Sequence, residues 1–290
     1  MISNLFCFLF ISSLSLQNAY VLKGEPTKKR FDLSGLLLLS PELKEDFKLK
    51  GYDFLLINDK TSWVYKAKIS GSSLEVEKWI KVNLQDSKSK PDFEDIDTDG
   101  ENIYVLNEPD GAVVKISPDL KMQWTQWKMP EGVAAFTDWF GAEAMAFAND
   151  QIWIFREMPP LDAFVFERSE FDKIVTAEQR PRNFSESQTA ARFRDGKWFL
   201  LDRNARCVWE SASYAEKGKC HSFSKWVDED EHYRFEVRDD KNKLREEWST
   251  AEALDVDADS FWVGLDNNGL GLYRDPTAKN PVILQLARPK

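Results

Sequence analysis

The sequence predicts an all-β protein, a β-propeller of five blades, with six blades as the alternative. The first observation behind this prediction is a sequence motif that recurs along the 290 residues. Each copy has an acidic residue at its start and another fourteen positions later. Full copies run from Glu94 to Glu108, from Glu143 to Glu157 and from Glu252 to Asp266. A degenerate copy runs from Gln188 to Asp202.

The second observation is that each copy reads as a β-hairpin. One apolar stretch follows the leading acid and another precedes the closing acid, as Ile96 and Ile103-Tyr104-Val105 show in the first full copy. Residues that favour tight turns stand between the two stretches. The turns are predicted at Asp99-Gly100, Asn149-Asp150, Asp195-Gly196 and Ala258-Asp259.

The third observation is the spacing of the copies, which begin 49, 45 and 64 residues apart. The two shorter intervals suit a four-stranded blade, which favours a ring over a solenoid. The excess in the longest interval predicts an acidic insertion at about 221–250. A sixth, degenerate blade is the alternative for these residues.

The remaining elements complete the ring at its two ends. Strands of the first blade are predicted at Leu33 to Leu36, Phe54 to Ile57 and Trp63 to Ile69. The last strand, Val282 to Leu286, is expected to complete a blade shared with the N-terminal part of the chain, which is how propellers close. Residues 33–290 therefore form a single predicted domain.

The N-terminal residues predict export. Residues 1–19 carry an apolar run, Leu5 to Ile11, that is too short for a comfortable membrane span and fits a signal peptide ending at Ala19. No Lys or Arg precedes the run, which departs from the usual pattern. Residues 20–32 are a polar lead-in, and the mature chain is expected to be periplasmic or extracellular and to have no membrane span.

Removal of the leader leaves two cysteines, Cys207 and Cys220. An even pair in an exported chain predicts a disulfide, with two buried thiols as the alternative. The net charge of −10 and the sequence pI of about 5.0 argue against nucleic acid and anionic membranes as partners. A monomer is expected, with a small-molecule or protein ligand at the propeller rim.

The chemistry that the sequence offers is that of carboxylates. Two histidines, with two cysteines thirteen positions apart, do not make a zinc site, and no Gly-x-Ser-x-Gly elbow is present. In each hairpin the leading and closing acids lie at the same end, so a ring of hairpins gathers them at one rim. Their hard oxygen atoms suit Ca²⁺.

The site prediction assigns roles within this ring of acids. Glu94, Glu143 and Glu252 are the predicted metal ligands, Glu157 or Glu108 the base, and Arg156 an anion contact. The alternative for each carboxylate is a structural role, in which it accepts hydrogen bonds from the backbone of a neighbouring blade.

Several short motifs resemble a known group of exported proteins. Leu33-Ser34-Gly35-Leu36 with Leu56-Ile57-Asn58-Asp59-Lys60 resembles the opening blade of secreted phytase-like propellers, and Asp92-Phe93-Glu94-Asp95-Ile96 resembles their second-blade motif. Glu143-Ala144-Met145 and Glu252-Ala253-Leu254 resemble later blades. The wider relatives are the esterase-like phytases and the gluconolactonase-type calcium propellers. The resemblance implies a rim or channel site that is often acidic and sometimes holds calcium.

Two functions from different classes follow. The first is a calcium-dependent hydrolase of phosphorylated or ester substrates, in which the metal polarises the substrate and activates water. The second is a non-enzymatic propeller that binds a ligand or protein while its carboxylates serve the structure. A glycosidase that uses two rim carboxylates is a third possibility.

Overall fold

In the computed structural model, residues 12–28, 30–83, 91–108, 112–126, 141–158, 161–168, 170–180, 187–229, 232–234, 251–267 and 269–289 are described. These residues are mostly β. Three short helical segments interrupt the strands: a 3-10 turn at Pro26–Lys28, the α-helix α1 at Pro41–Asp46 and a π-helical turn at Lys225–Glu229. None of the described helices is long and apolar enough to cross a bilayer.

The strands fall into groups that follow the predicted repeat. The N-terminal strands are β1 (Ser12–Ser13) and β2 (Leu16–Lys23). The first repeat contains β3 (Leu33–Leu38), β4 (Phe54–Asn58), β5 (Trp63–Ser70) and β6 (Ser73–Lys81), and the second β7 (Phe93–Thr98), β8 (Ile103–Asn107), β9 (Ala112–Ile116) and β10 (Met122–Gln126). The third contains β11 (Ala142–Ala148), β12 (Gln151–Arg156), β13 (Leu161–Glu167) and β14 (Glu170–Arg180), and the fourth β15 (Ala190–Arg194), β16 (Lys197–Asp202), β17 (Cys207–Ser211) and β18 (Lys219–Ser222). The last contains β19 (Ala251–Val256), β20 (Ser260–Leu265) and β21 (Val282–Ala287).

The first strand of each repeat contacts the first strand of the next. β3 contacts β7, β7 contacts β11, β11 contacts β15, β15 contacts β19, and β19 returns to β3, so the innermost strands form a closed ring. Buried apolar clusters fill the spaces between adjacent sheets. This cyclic arrangement is the one expected of a propeller, whose blades leave only short edges uncovered.

The ring closes as the sequence predicted, through the last strand and the N-terminal part of the chain. β21 pairs antiparallel with both β20 and β2, while β2 pairs in parallel with β6. Leu14 is buried, and Trp226 donates its indole N–H to the Leu14 carbonyl over 3.0 Å. A cleavage after Ala19 would therefore remove β1 and the first half of β2 from the sheets. Residues 12–13 and 16–19 therefore belong both to the predicted signal peptide and to paired strands of the fold.

The predicted turns lie where the hairpins reverse. Asn149-Asp150 and Asp195-Gly196 are two-residue connections, and all four residues have positive φ, between 52° and 72°. Their backbone twist matches that of the flanking strands. The predicted disulfide also forms, between Cys207 and Cys220 on neighbouring strands with 5.7 Å between their Cα atoms. The predicted insertion at about 221–250 begins with the end of β18, and residues 235–250 lie outside the described part of the chain.

The ring axis is occupied by a buried ion-pair cluster, which we call the centre. Arg192 of β15 is fully buried and binds both carboxylate oxygens of Asp95 on β7, each over 2.9 Å. Its guanidinium also donates to the carbonyls of Leu36, Ile96 and Met145, on β3, β7 and β11. Asp255 of β19 lies 3.6 Å from its Nε atom. One side chain thus contacts all the innermost strands.

The aspartates of the centre also tie neighbouring strands together directly. Asp95 accepts the backbone N–H of Met145 over 2.9 Å, and Asp255 accepts that of Leu38 over 2.7 Å. Asp97 accepts the guanidinium of Arg194 over 2.7 Å. Burial raises the pKa of Asp95 to about 6 while Arg192 opposes this rise, so the carboxylate is ionised at neutral pH. The sequence analysis allowed that the Glu residues accept hydrogen bonds from the backbone of a neighbouring blade. In the structure, Asp95, Asp97 and Asp255 accept such bonds.

Candidate functional site

A repeated irregularity in the strands creates the candidate site. In β3, β7, β11 and β19 the pairing register skips one residue, and the skipped residues are Ser34, Glu94, Glu143 and Glu252. A bulge leaves its extra residue out of the ladder and redirects its side chain. The leading acids of the repeat are therefore displayed at the bulges, at one end of the ring.

These side chains surround a cavity of about 110 Å³, which we call the mouth. The volume is enough for an ion with a few water molecules and too small for an organic substrate. The lining residues are mainly acidic: Asp32, Leu33, Ser34, Asp59, Glu94, Glu143, Arg203, Glu252 and Asp266. The structure thus brings together Glu94, Glu143 and Glu252, the three predicted metal ligands.

A cluster suited to a cation adjoins one side of the mouth and shares Glu94 with it, whereas its other two members, Asp92 and Glu108, are not among the lining residues of the cavity. Carboxylate oxygens of Asp92, Glu94 and Glu108 all lie within 4.8 Å of one another. Oxygen ligands at 2.3–2.6 Å from a Ca²⁺ ion are separated by up to about 5 Å, so this spacing fits such an ion. Glu108 was predicted as a base, whereas Asp92 was part of the second-blade motif but had no predicted role in the site.

The acids of this cluster hold protons more tightly than isolated carboxyl groups. Burial, followed by the charges of Glu143, Asp92 and Glu108, raises the pKa of Glu94 well above its usual value. Burial also raises the pKa of Asp92, against the opposing effects of Lys60 and of a hydrogen bond with Glu94. Neighbouring buried carboxyl groups with raised pKa values retain protons, which a bound cation would replace.

Glu143 lies between the two sides of the mouth. Burial raises its pKa well above the usual value, the charges of Glu157, Glu108 and Glu252 add to this, and Arg203 opposes it. It lines the cavity and so keeps some access to water, although the surrounding protein removes most of the solvent that would stabilise its charge.

The other side of the mouth is neutralised by Arg203. Its guanidinium donates to Glu252 over 2.6 Å and forms a short ion pair with Glu157. Burial raises the pKa of Glu252 to about 7, and that of Glu157 is also raised by burial, while Arg203 opposes both shifts. The predicted base Glu157 therefore already has a cationic partner.

Arg203 reaches this place because the fourth hairpin aligns one residue away from the sequence prediction. In the other hairpins the residue after the bulge pairs two positions before the closing acid, as Asp95 pairs with Leu106. In the fourth, Ala190 pairs with Leu201, so the closing position is Arg203 and the bulge position is Thr189. The sequence had placed Gln188 at the leading position and Asp202 at the closing position of this copy. Asp202 instead accepts hydrogen bonds from Ser187 and from the backbone of Ala205.

Two other predicted residues have structural partners. Asp266 accepts the backbone N–H groups of Leu33 and Asn267, over 3.1 and 2.7 Å, and so joins the last repeat to the first. Arg156 has its guanidinium 3.7 Å from Asp162 on the next strand, and its side chain does not line the mouth. An anion contact by Arg156 stays a prediction that the described geometry does not favour.

The sequence contained signals for the residues that were missed. Asp92 precedes its bulge by two positions, as Asp32 precedes Ser34, so a comparison of the first two repeats would have found both. Arg203 was noted beside a closing acid, but only the pairing register shows that it replaces one. Nothing in the repeat indicated that Arg192 would fill the ring axis.

No known protein-family model matches this chain, and no curated protein is significantly similar to it. The structure is similar to glutaminyl cyclase from Myxococcus xanthus, with a TM-score of 0.59 and 11% identity over 95% of this chain and 96% of that one. It is also similar to virginiamycin B lyase from Staphylococcus aureus, with a TM-score of 0.49 and 8% identity over 96% and 100% of the chains. The glutaminyl cyclase is a β-propeller, and at such an identity the likeness to it is one of fold alone.

Proposed function

We propose that this protein is a five-bladed β-propeller that binds a divalent cation, Ca²⁺, at the mouth. The observation that carries the proposal is the grouping of Asp92, Glu94 and Glu108 within 4.8 Å beside Glu143. The blade count is supported by the closed contacts of β3, β7, β11, β15 and β19. The phytase-like and gluconolactonase-like motifs agree with such a site, although no family model supports them.

Charge balance supports a cation rather than an anion in the mouth. Of the basic side chains near it, Arg203 pairs with Glu157 and Glu252, Arg30 with Asp32 and Lys60 with Asp59. Lys60 lies near enough for its charge to lower the pKa of Asp92, but its ion pair is with Asp59, and among the described residues no ion pair joins a basic side chain to Asp92, Glu94 or Glu108. Buried carboxyl groups that have no basic side chain as a partner either stay protonated or bind a metal ion.

The same site supports the calcium-dependent hydrolysis of a phosphorylated or ester substrate. A bound cation would polarise the substrate and lower the pKa of a water molecule. Glu252 also pairs with Arg203, but it lines the cavity, which Glu157 and Glu108 do not, and its pKa of about 7 lies near the pH at which a base would act. It would take over the role predicted for Glu157 or Glu108. The substrate would sit across the open face, because the cavity holds little more than the ion.

A specific observation favours the alternative, a non-enzymatic propeller with a small-molecule or protein ligand at its rim. Arg203 neutralises half of the mouth without any metal, so Glu157 and Glu252 are already satisfied as structural groups. In that case a cation would stabilise the ring and take no part in a reaction.

Calorimetric titration with Ca²⁺ tests the cation site. We expect saturable binding to the wild type and binding at least about tenfold weaker in Glu94→Gln, which removes one hard ligand but keeps its shape. Glu45→Gln on the exposed face of α1 is the matched control and should bind as the wild type does. Absence of Ca²⁺ binding to the wild type would refute the proposal.

Hydrolysis of p-nitrophenyl phosphate and p-nitrophenyl acetate, with Ca²⁺ or with chelator, then separates the two functions. Calcium-dependent turnover that Glu252→Gln lowers by about 10²-fold or more supports the hydrolase. Calcium binding without turnover of either substrate supports the non-enzymatic alternative.

Export is part of the proposal. The Cys207–Cys220 disulfide supports an oxidising compartment, the periplasm or the extracellular space. We also propose that the protein is a monomer. N-terminal sequencing of protein recovered outside the cytoplasm would show whether processing occurs at Ala19 or spares β1 and β2.

A further inference from the structure

A second cavity lies outside the mouth, in the first repeat. It has a volume of about 730 Å³, within the range of small-molecule pockets. Its walls come from the stretch before β3, the turn between β4 and β5, and the outer strands β5 and β6. We call it the basic cleft.

The charge of the cleft is opposite to that of the whole chain. Among the residues that the structure describes, one acid, Glu25, lines it, whereas the chain as a whole carries a net charge of −10. The basic residues that line it are Lys28, Arg30, Lys60, Lys78 and Lys81. Such a local excess of positive charge attracts an anion.

The five basic side chains are not equivalent. Lys28 pairs with Glu25, Arg30 with Asp32 and Lys60 with Asp59. Lys78 and Lys81 are exposed and have no carboxylate within 4.0 Å among the residues that the structure describes. These two lysines are therefore the cations that a ligand would engage first.

Aromatic residues lie directly across the hairpin from these lysines. Trp63 pairs with Lys81 and Tyr65 with Lys78, and the Lys78 ammonium lies 5.0 Å from the centre of the Trp63 ring. Tyr65 is buried and packs edge-on against Phe31 with ring centres 5.0 Å apart. Trp63 packs against the buried cluster that contains Phe31 and Tyr65, and it stays partly exposed.

We propose that the basic cleft binds a small phosphorylated molecule that carries a flat ring. The phosphate lies against Lys78 and Lys81, and the ring packs on Trp63. The net charge of −10 would repel a polyanion such as nucleic acid, so the ligand is a small molecule. The site is separate from the mouth, and the binding needs no cation.

Calorimetry with adenosine 5′-monophosphate, in chelator and at low salt, tests the proposal. We expect a Kd below about 1 mM, weaker binding at high salt, and at least about tenfold weaker binding of adenosine and of inorganic phosphate, each of which keeps one half of the ligand. The double variant Lys78→Gln/Lys81→Gln should raise the Kd about tenfold, and Trp63→Leu about fivefold.

The matched control is Lys225→Gln. Lys225 also lies 5.0 Å from the centre of a tryptophan ring, that of Trp226, but outside the cleft. It should bind the nucleotide as the wild type does. No binding to the wild type at 5 mM, or equal affinities in the double variant and this control, would overturn the proposal. Binding that requires Ca²⁺ and is lost in Glu94→Gln would place the ligand at the mouth, and would also overturn it.

Discussion

At the centre of the ring, Arg192 and Arg194 lie among Asp95, Asp97 and Asp255, and the aspartates also accept backbone N–H groups. At the mouth, a few residues away along the chain, Arg203 pairs with both Glu157 and Glu252. The carboxylate charges of the centre are neutralised by arginines of the protein. Those of the mouth are neutralised by an arginine on one side, and on the other side they require protons or a bound cation.

The difference lies in the length and position of the acidic side chain. The short aspartates of the centre sit within the ladder, where their oxygens reach the backbone of the next strand over 2.7–3.3 Å. The glutamates of the mouth stand at bulges and extend into a cavity. A fully satisfied buried network fixes a structure, whereas an incompletely satisfied one is available for binding.

The largest expected effect comes from breaking the centre. Arg192→Met should lower the free energy of unfolding by about 3–5 kcal/mol, because it leaves three buried aspartates with one partly exposed arginine. Urea unfolding at neutral pH measures this change. Arg168→Met is the matched control, since Arg168 is partly exposed and faces the exposed Glu101 and Asp150. The buried Asp99 keeps its hydrogen bonds from Asn102 and Tyr104, so the change should cost less than about 1 kcal/mol. Equal losses would contradict the comparison.

The pH dependence of stability should reveal the mouth. The pKa of Glu252 is about 7 in the folded protein and about 4.3 when unfolded, so the folded state binds more protons in between. Its contribution is therefore unfavourable above pH 7 and disappears as the pH falls towards 4.5. In chelator, the wild type should lose up to about 3 kcal/mol relative to Glu252→Gln as the pH rises through this window.

The comparison with Glu252→Gln is needed because other groups titrate in the same pH range. The pKa of Asp59 is raised to about 6, which acts in the same direction, whereas burial lowers the pKa of His221, which acts in the opposite direction below pH 6.5. Both groups are present in the wild type and in the variant. Parallel pH profiles of the two proteins would show that Glu252 is not perturbed.

Removing the arginine of the mouth should have an intermediate effect. Arg203→Met should lower stability in chelator by about 1–2 kcal/mol, less than the change at the centre, because Glu157 and Glu252 can take up protons at the cavity. The rise in melting temperature on adding Ca²⁺ should become larger than in the wild type, since a positive charge has left the site. A smaller calcium response would mean that Arg203 helps to organise the cation site.

The smallest expected effect is that of Glu143→Gln. In chelator the variant should be as stable as the wild type or more stable by about 1 kcal/mol, because it removes a buried carboxyl group surrounded by like charges. Differential scanning calorimetry should show a weaker rise in melting temperature with Ca²⁺, since a ligand that binds only the folded state stabilises it. A marked loss of stability in chelator would show that Glu143 is structural.

The sequence by itself determined the repeat and the end of the ring at which the acids meet. Period-2 apolar stretches, turn pairs such as Asn149-Asp150 and the fourteen-residue spacing are local properties, so the hairpins and the gathering of Glu94, Glu143 and Glu252 followed from them. The pairing of Cys207 with Cys220 was equally local.

Only the tertiary structure decided how each buried charge is compensated. A one-residue difference in strand register exchanges Asp202 for Arg203 at the mouth, and no pattern within the fourth repeat reveals it. Arg192 meets Leu36, Asp95 and Met145 only when the ring has closed, because these partners are 47 to 156 residues away. Sequence periodicity places side chains on a face, but whether a carboxylate there finds an arginine, a backbone N–H group or another carboxylate depends on contacts between repeats.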